Sequence, residues 1–144
     1  MAPKLLLDVN VCLDVLLDRK PFVSHSGKIF ELGEEGKVAL FISGLSFDTL
    51  FYVMRPQMGA KKSTDLLKLM LKHIAVAPVN QSVVSKALNA NWKDLEDALQ
   101  YYAALEQGCD FLISRNHTDF KTRELDKIKV LPPIQFLEES FNQK

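Results

Sequence analysis

Leu5-Leu6-Leu7-Asp8-Val9-Asn10-Val11-Cys12-Leu13-Asp14-Val15-Leu16-Leu17 changes its repeat partway along. Residues 5–7 are continuously apolar, residues 11–17 recur at helical spacing, and Asp8 stands between the two patterns. A short apolar run ended by a carboxylate and followed by helical periodicity reads as a buried strand feeding a helix. Asp8 then lies at the carboxyl end of that strand. The alternation continues along the chain. Residues 38–42, 74–79, 111–113 and 128–131 are the next apolar runs of strand length. Between them the sequence predicts helices from near Pro21 to Gly36 and from Ser46 until Arg55-Pro56, where the residue before proline disfavours the helical region. Further helices are expected after Gly59, with a stripe of Leu66, Leu67, Met70 and Leu71; over 81–90; over 94–106, closed by Gly108; and from Pro132-Pro133 onward.

Five apolar strands alternating with about seven helices predict an α/β fold, a three-layer α/β/α sandwich around a central parallel sheet. At 144 residues, one domain over 1–144 is expected, with an apolar core that needs no staples. The chain balances 18 basic against 18 acidic side chains. It therefore lacks the overall positive field that drives non-specific nucleic-acid binding, and such a partner must be held by a local patch or a metal. Cys12 and Cys109 are far apart in apolar surroundings and read as reduced core thiols. Asp8 interrupts the first apolar run too early for a secretory leader, and no later run reaches the length of a membrane span. No membrane association and a cytoplasmic location are expected.

In open parallel sheets, ligands bind beyond the carboxyl ends of the strands, so polar residues there are the first candidates. Asp8 is one, followed by Asn10 and Asp14. Its alternative role is to cap the following helix, a job that Asn10 could take instead. The second candidate is Asp94-Leu95-Glu96-Asp97, in which Asp94 and Asp97 share a helix face and Glu96 points elsewhere. Helix capping by Asp94, with Glu96 and Asp97 near the positive end of the helix dipole, accounts for the same residues without a ligand. The third is the polar run Ser114-Arg115-Asn116-His117-Thr118-Asp119 after strand four, on the same sheet edge as Asp8. Asp8, Asp97 and Asp119 converging there would repel one another, so they call for a cation or a shared proton. Oxygen donors with no thiolate or histidine set favour a hard divalent ion, Mg²⁺ or Mn²⁺. Such an ion suits phosphodiester hydrolysis.

Four stretches in order, 6–14, 42–46, 94–101 and Ile113-Ser114-Arg115-Asn116 with Asp119-Phe120, resemble the successive motifs of the PIN-domain family. The similarity spans nearly the whole chain and is nearest to stand-alone bacterial proteins of the VapC toxin type. The resemblance implies a metal-dependent endoribonuclease that cuts single-stranded RNA, acts as the toxin of a bacterial toxin-antitoxin pair, is neutralised by a small antitoxin protein, and forms a homodimer. It implies catalytic and metal-binding roles for Asp8, Asp97 and Asp119, with Asp94 and Asp48 as further candidate ligands. Ser114, Arg115, Asn116 and Asn10 are the expected substrate contacts, Arg115 because its fork suits phosphate oxygens. Two positions depart from the family pattern. Asn116 stands where many members have a carboxylate, and the family's glutamate after strand two falls on Thr49, leaving Asp48 one residue, or about 100° of helix, out of place.

Those departures motivate an alternative, a catalytically weak module of the same fold that binds RNA or regulates. A receiver or dehalogenase-like phosphoryl-transfer protein fits poorly, since Asn10 stands where the second aspartate of Asp-x-Asp is needed. His25 and His73 form no ligand set, whereas His117 adjoins the proposed site. Arg19, Lys20, Lys121 and Arg123 widen a cationic patch or are simply solvated. Tyr101 and Tyr102 read as packing residues, Trp92 is open to either base stacking or packing, and Phe47, Leu50, Phe51 and Met54 form a stripe for the core or a dimer surface.

Overall fold

Leu5, Leu6 and Leu7 are fully buried and form most of β1 (Lys4–Leu7), the central strand of a five-stranded parallel sheet. A strand with both faces covered can be apolar at every position, which is why this run does not alternate. The computed structural model describes residues 1–116, 120 and 128–141. Along the chain, β1 is followed by α1 (Val9–Leu16), α2 (Val23–Glu34), β2 (Ala39–Ser43), α3 (Ser46–Met70), β3 (Ile74–Ala77), α4 (Gln81–Asn89), α5 (Leu95–Gln107), β4 (Phe111–Ile113), β5 (Lys129–Leu131) and α6 (Pro133–Phe141). The strand order is β3-β2-β1-β4-β5, with Leu5 opposite Leu40 on one side and Phe111 on the other.

The alternate residues of β1 separate two cores. Leu5 and Leu7 pack with Val11, Leu13, Ile29, Leu50, Met54 and Phe136, from α1, α2, α3 and α6. Leu6 packs on the other side with Val83, Ala87, Ala98, Leu99 and Tyr101, from α4 and α5. This is the expected three-layer architecture. Asn80 caps α4 by accepting from the Val83 backbone N–H at 3.0 Å. Asp94 caps α5 in the same way, and that helix ends at Gly108, whose φ of 77° is the left-handed conformation of a helix stop.

Two boundaries differ from the sequence reading. β3 ends at Ala77 rather than 79, because Pro78 has no N–H to continue the ladder. Helix α3 does not stop at Arg55-Pro56 but runs through Pro56 and breaks at Gly59, with φ 85° and ψ 164°. Pro56 removes a single intrahelical bond, to the carbonyl of Tyr52, and that residue is 74% exposed. Gly59, by contrast, sits in a region of backbone space open essentially to glycine alone. Gly59→Ala is therefore expected to lower stability by about 1–3 kcal/mol, measured by urea unfolding, although its side chain would meet open space. Counting the two segments of α3 separately, the described residues hold seven helical stretches.

Candidate active site

The chain lays β2 and β3 on one side of β1, then crosses over to place β4 and β5 on the other. The strand order thus reverses between β1 and β4, and a crevice opens at their carboxyl ends. Asp8 follows β1 and Ser114 follows β4, and the Asp8 N–H donates to the Ile113 carbonyl at 2.9 Å. The Asp8 carboxylate is 5% exposed and accepts three hydrogen bonds. Its Oδ1 receives the Val9 N–H at 2.7 Å and Gln100 Nε2 at 3.0 Å, while Oδ2 receives the Ser114 hydroxyl at 2.7 Å. A carboxylate offers about four lone-pair positions. Among the described residues, the one left open belongs to Oδ2.

Asp8 forms the inner end of a cleft of about 290 Å³ lined also by Asn10, Arg19, Thr49, Asp94, Glu96, Asp97 and Asn116. Among the described residues, four carboxylates and one guanidinium therefore line it. Asp94 accepts from the Asp97 N–H at 3.0 Å, so capping and cleft-lining are done by the same side chain. Glu96 Oε2 accepts from the Thr49 hydroxyl at 3.0 Å, joining α5 to α3 at the cleft wall. Asn10 Oδ1 lies 3.4 Å from Arg19 Nη1, and the Asn116 N–H donates to Ser114 Oγ at 3.1 Å.

The structure brings together Asp8, Asp94, Asp97, Asn10 and Asn116 of the sequence-predicted residues. Asp119, with His117, Lys121 and Arg123, lies outside the described residues. Asp48 is exposed and does not line the cleft, because the one-residue offset turns it away and leaves Thr49 facing in. Ser114 is fully buried and acts on Asp8 rather than facing the opening. Arg115 is engaged elsewhere. Its Nε and Nη2 donate to Asp14 at 2.9 and 3.1 Å, and its guanidinium stacks 3.8 Å from the centre of the Phe22 ring, against a neighbouring cavity.

Two readings are corrected. Asn10 does not relieve Asp8 of capping α1, because Asn10 lies inside the helix and Asp8 is its N-cap. Glu96 does not point away from Asp94 and Asp97. Helix α5 presents its first turn to the cleft end-on, where residues separated by 100° about the axis still reach one space. Gln100, absent from the sequence-predicted residues, is 1% exposed and holds Asp8. Its signal is an amide within the apolar stretch Ala98-Leu99-Gln100-Tyr101, where a buried polar group needs a partner. Trp92 packs on Tyr101, Tyr102 and Phe120 at centroid distances of 5.4, 6.3 and 6.0 Å.

Among the described residues, no three His, Cys, Asp or Glu side chains are already gathered closely enough to hold a metal ion. The donor set nevertheless fits a hard cation in kind, since the acidic lining groups are all oxygen donors. Gln100 Oε1, on the amide whose nitrogen holds Asp8, is buried and has no hydrogen-bond partner among the described residues. On α1, burial and then the negative charges of Asp8 and Asp14 hold the Cys12 thiol well above its ordinary range. Burial pushes Cys109 up to about 12, and both cysteines are free. Neither is a nucleophile at neutral pH.

Comparison with known proteins bears on the family and the fold. A family model described as a PIN domain matches residues 4–118. Ribonuclease VapC1 of Aquifex aeolicus is 27% identical over 142 residues, covering 95% of each chain. Among solved structures, the DNA-bound VapBC of Salmonella typhimurium superposes with a TM-score of 0.67 at 15% identity, over 89% of this chain and 98% of that one. VapC20 of Mycobacterium tuberculosis, a toxin that cleaves the sarcin-ricin loop, gives a TM-score of 0.61 at 9% identity, over 75% and 86%. No helix among the described residues is long and apolar enough to cross a membrane.

Proposed function

Because this chain belongs to the PIN domain family, we propose that it is an endoribonuclease that hydrolyses phosphodiester bonds of single-stranded RNA with Mg²⁺ or Mn²⁺. It works as the toxin of a cytoplasmic toxin-antitoxin pair, restrained by an antitoxin protein. The observation that carries the reading is the cleft at the β1–β4 switch, where Asp8, Asp94, Glu96 and Asp97 face one space. The relative named as a ribonuclease and the neighbours solved as toxin-antitoxin complexes support the substrate and the partner.

The chemistry follows from those groups. Hydrolysis adds a water oxygen to phosphorus, breaks the bond to the leaving ribose oxygen, and returns a proton to that oxygen. When bound, the divalent ion lowers the pKa of water and offsets charge on the phosphoryl oxygens. Asp8, with one lone-pair position on Oδ2 left open by the described residues, is aimed by Ser114, Gln100 and the Val9 N–H and cannot rotate freely. Asp97 on the first turn of α5 supplies the second carboxylate, and Asp119 is proposed as a third. Asn10, Asn116 and Arg19 line the same space and offer hydrogen bonds to the RNA backbone. Arg115, bound to Asp14, acts by holding the loop that carries Asn116.

The test is incubation of the purified protein with a labelled single-stranded RNA of mixed sequence, with Mn²⁺ and with excess EDTA. Internal cleavage with Mn²⁺ that stops with EDTA is the expected result. RNA retained in a mobility shift but left uncut at every metal concentration overturns the nuclease reading and favours an RNA-binding module, the reading that Thr49 on the cleft wall suggests.

A further inference from the structure

A second cavity, of about 420 Å³, is walled by Phe22 from the loop before α2, Arg115 from the loop after β4, and Pro132, Pro133 and Ile134 at the β5–α6 junction. Arg115 follows β4 and Pro132 follows β5, so the cavity lies on the same carboxyl edge of the sheet as the cleft. Its size falls within the range of about 300–1,000 Å³ usual for small-ligand sites. One carboxylate separates the two spaces. Asp14 is gripped by Arg115 on the cavity side and stands 3.9 Å from Arg19 Nη1, which lines the cleft. Phe22 is 39% exposed and carries the Arg115 guanidinium 3.8 Å from its ring centre. Of the five guanidinium N–H donors, Asp14 takes the one on Nε and one on Nη2, so the fork between Nη1 and Nη2 has no partner among the described residues. The positive charge, by contrast, is already offset by the fully buried Asp14. The other polar lining groups among the described residues are Ser26, whose hydroxyl donates to Asp14, and His25, beside Ser24 Oγ at 3.4 Å.

We infer that this cavity is a guanine-binding subsite, which takes a base flanking the phosphodiester bond held in the cleft. The inference rests on the ribonuclease reading above and deepens it by adding a base specificity. The charge balance selects the ligand. A phosphate or an acidic peptide would bring a second negative charge to a guanidinium that Asp14 has neutralised, among apolar walls where unpaired charge is costly. A neutral planar group with two adjacent acceptors meets every feature of the cavity. Guanine presents that pair in O6 and N7, and an arginine fork is its commonest specific contact. Bases of single-stranded RNA are free to splay onto aromatic and guanidinium planes, which Phe22 and Arg115 supply. Asp14, by fixing the other edge of Arg115, is the positioning residue that aims the free fork.

The experiment maps the cut sites on the mixed-sequence RNA with Mn²⁺. It then compares a short RNA carrying the strongest site with copies in which the flanking guanosine is replaced by adenosine or by 7-deazaguanosine, for the unsubstituted protein, Phe22→Leu and Ile134→Trp. Cuts are expected at one fixed offset from a guanosine, with kcat/KM lowered about 10–100-fold by adenosine and about tenfold by 7-deazaguanosine, which lacks only the N7 acceptor. Phe22→Leu removes the aromatic plane, and Ile134→Trp fills the cavity from a position that is 47% exposed and tolerates bulk. Each is expected to cut the guanosine RNA about tenfold more slowly and to cut all three RNAs at nearly one rate. A variant that is merely less stable lowers the three rates together and keeps their ratio, so the ratio is the readout. Cleavage by the unsubstituted protein that ignores guanosine, or a guanosine preference that the folded variants retain, overturns the subsite. Either result leaves the ribonuclease reading standing and the cavity to a protein partner. If no RNA is cut, the ribonuclease reading fails and the subsite fails with it.

Discussion

Asp8→Asn is expected to abolish Mn²⁺-dependent RNA cleavage, lowering kcat/KM by about 10³-fold, or about 4 kcal/mol of transition-state stabilisation. The amide keeps the volume of the carboxylate and one acceptor oxygen, which can still receive the Val9 N–H and Gln100 Nε2. Its nitrogen then faces Ser114 Oγ, whose hydroxyl must turn to accept, and Oγ already accepts from the Asn116 N–H. The loop after β4 is thus retained, and the lone-pair position that the described residues leave open on Oδ2 is replaced by an N–H. Affinity for a cation falls because a charge and a donor atom are both lost. Stability should change little, since Asp8 has no ion-pair partner among the described residues to leave stranded. The comparison to make is the cleavage rate against the melting temperature of the same preparation. A variant that melts as before and cuts within tenfold of the unsubstituted rate sinks the assignment of Asp8 to the reaction.

The legible parts of this protein are those set by neighbours in sequence. β1 and β4 are visible because strands covered on both faces are apolar at every residue, and Asp8 is visible because it ends such a run. Asp94 and Gly108 mark the ends of α5 by local capping chemistry. The site is less legible where its contacts span the fold. The partner of Gln100 is 92 residues away, and the partner of Arg115 is 101 residues away, so neither commitment has a local sign. Arg115 reads from sequence as a phosphate contact; the structure places it on Asp14 because a buried carboxylate must be neutralised. Glu96 is missed for a different reason. Helix-face arithmetic views a helix from the side, and α5 meets the cleft with its end. The helix through Pro56 shows the same limit, since a local rule about proline yields where only one backbone bond is lost.

Asp14→Ala is expected to be the most destabilising single change at this edge of the sheet, at about 3–5 kcal/mol. Asp14 is fully buried on α1 and holds three elements at once. Arg115 Nε and Nη2 grip both its oxygens from the loop after β4, the Ser26 hydroxyl donates from α2 at 3.3 Å, and Arg19 Nη1 stands 3.9 Å away between them. Removing the carboxylate strands the Arg115 guanidinium against Phe22. Because the Arg115 side chain keeps 24% of its exposure, water can partly repay it and the loss falls toward the lower end, about 3 kcal/mol. For a chain of this size that is a fall of about 6–12 °C in melting temperature. Asp14→Asn offers little rescue, since its NH₂ meets the N–H groups of Arg115. Cleavage should fall as well, because Ser114 and Asn116 flank Arg115 and the first of them aims Asp8. The double variant Asp14→Leu with Arg115→Met removes both charges together, and it should recover more than half of the lost stability, since a buried ion pair exchanged for apolar groups is often close to neutral. Losses that simply add in the double variant would show that the pairing of Asp14 with Arg115 is not what ties the loop to the sheet.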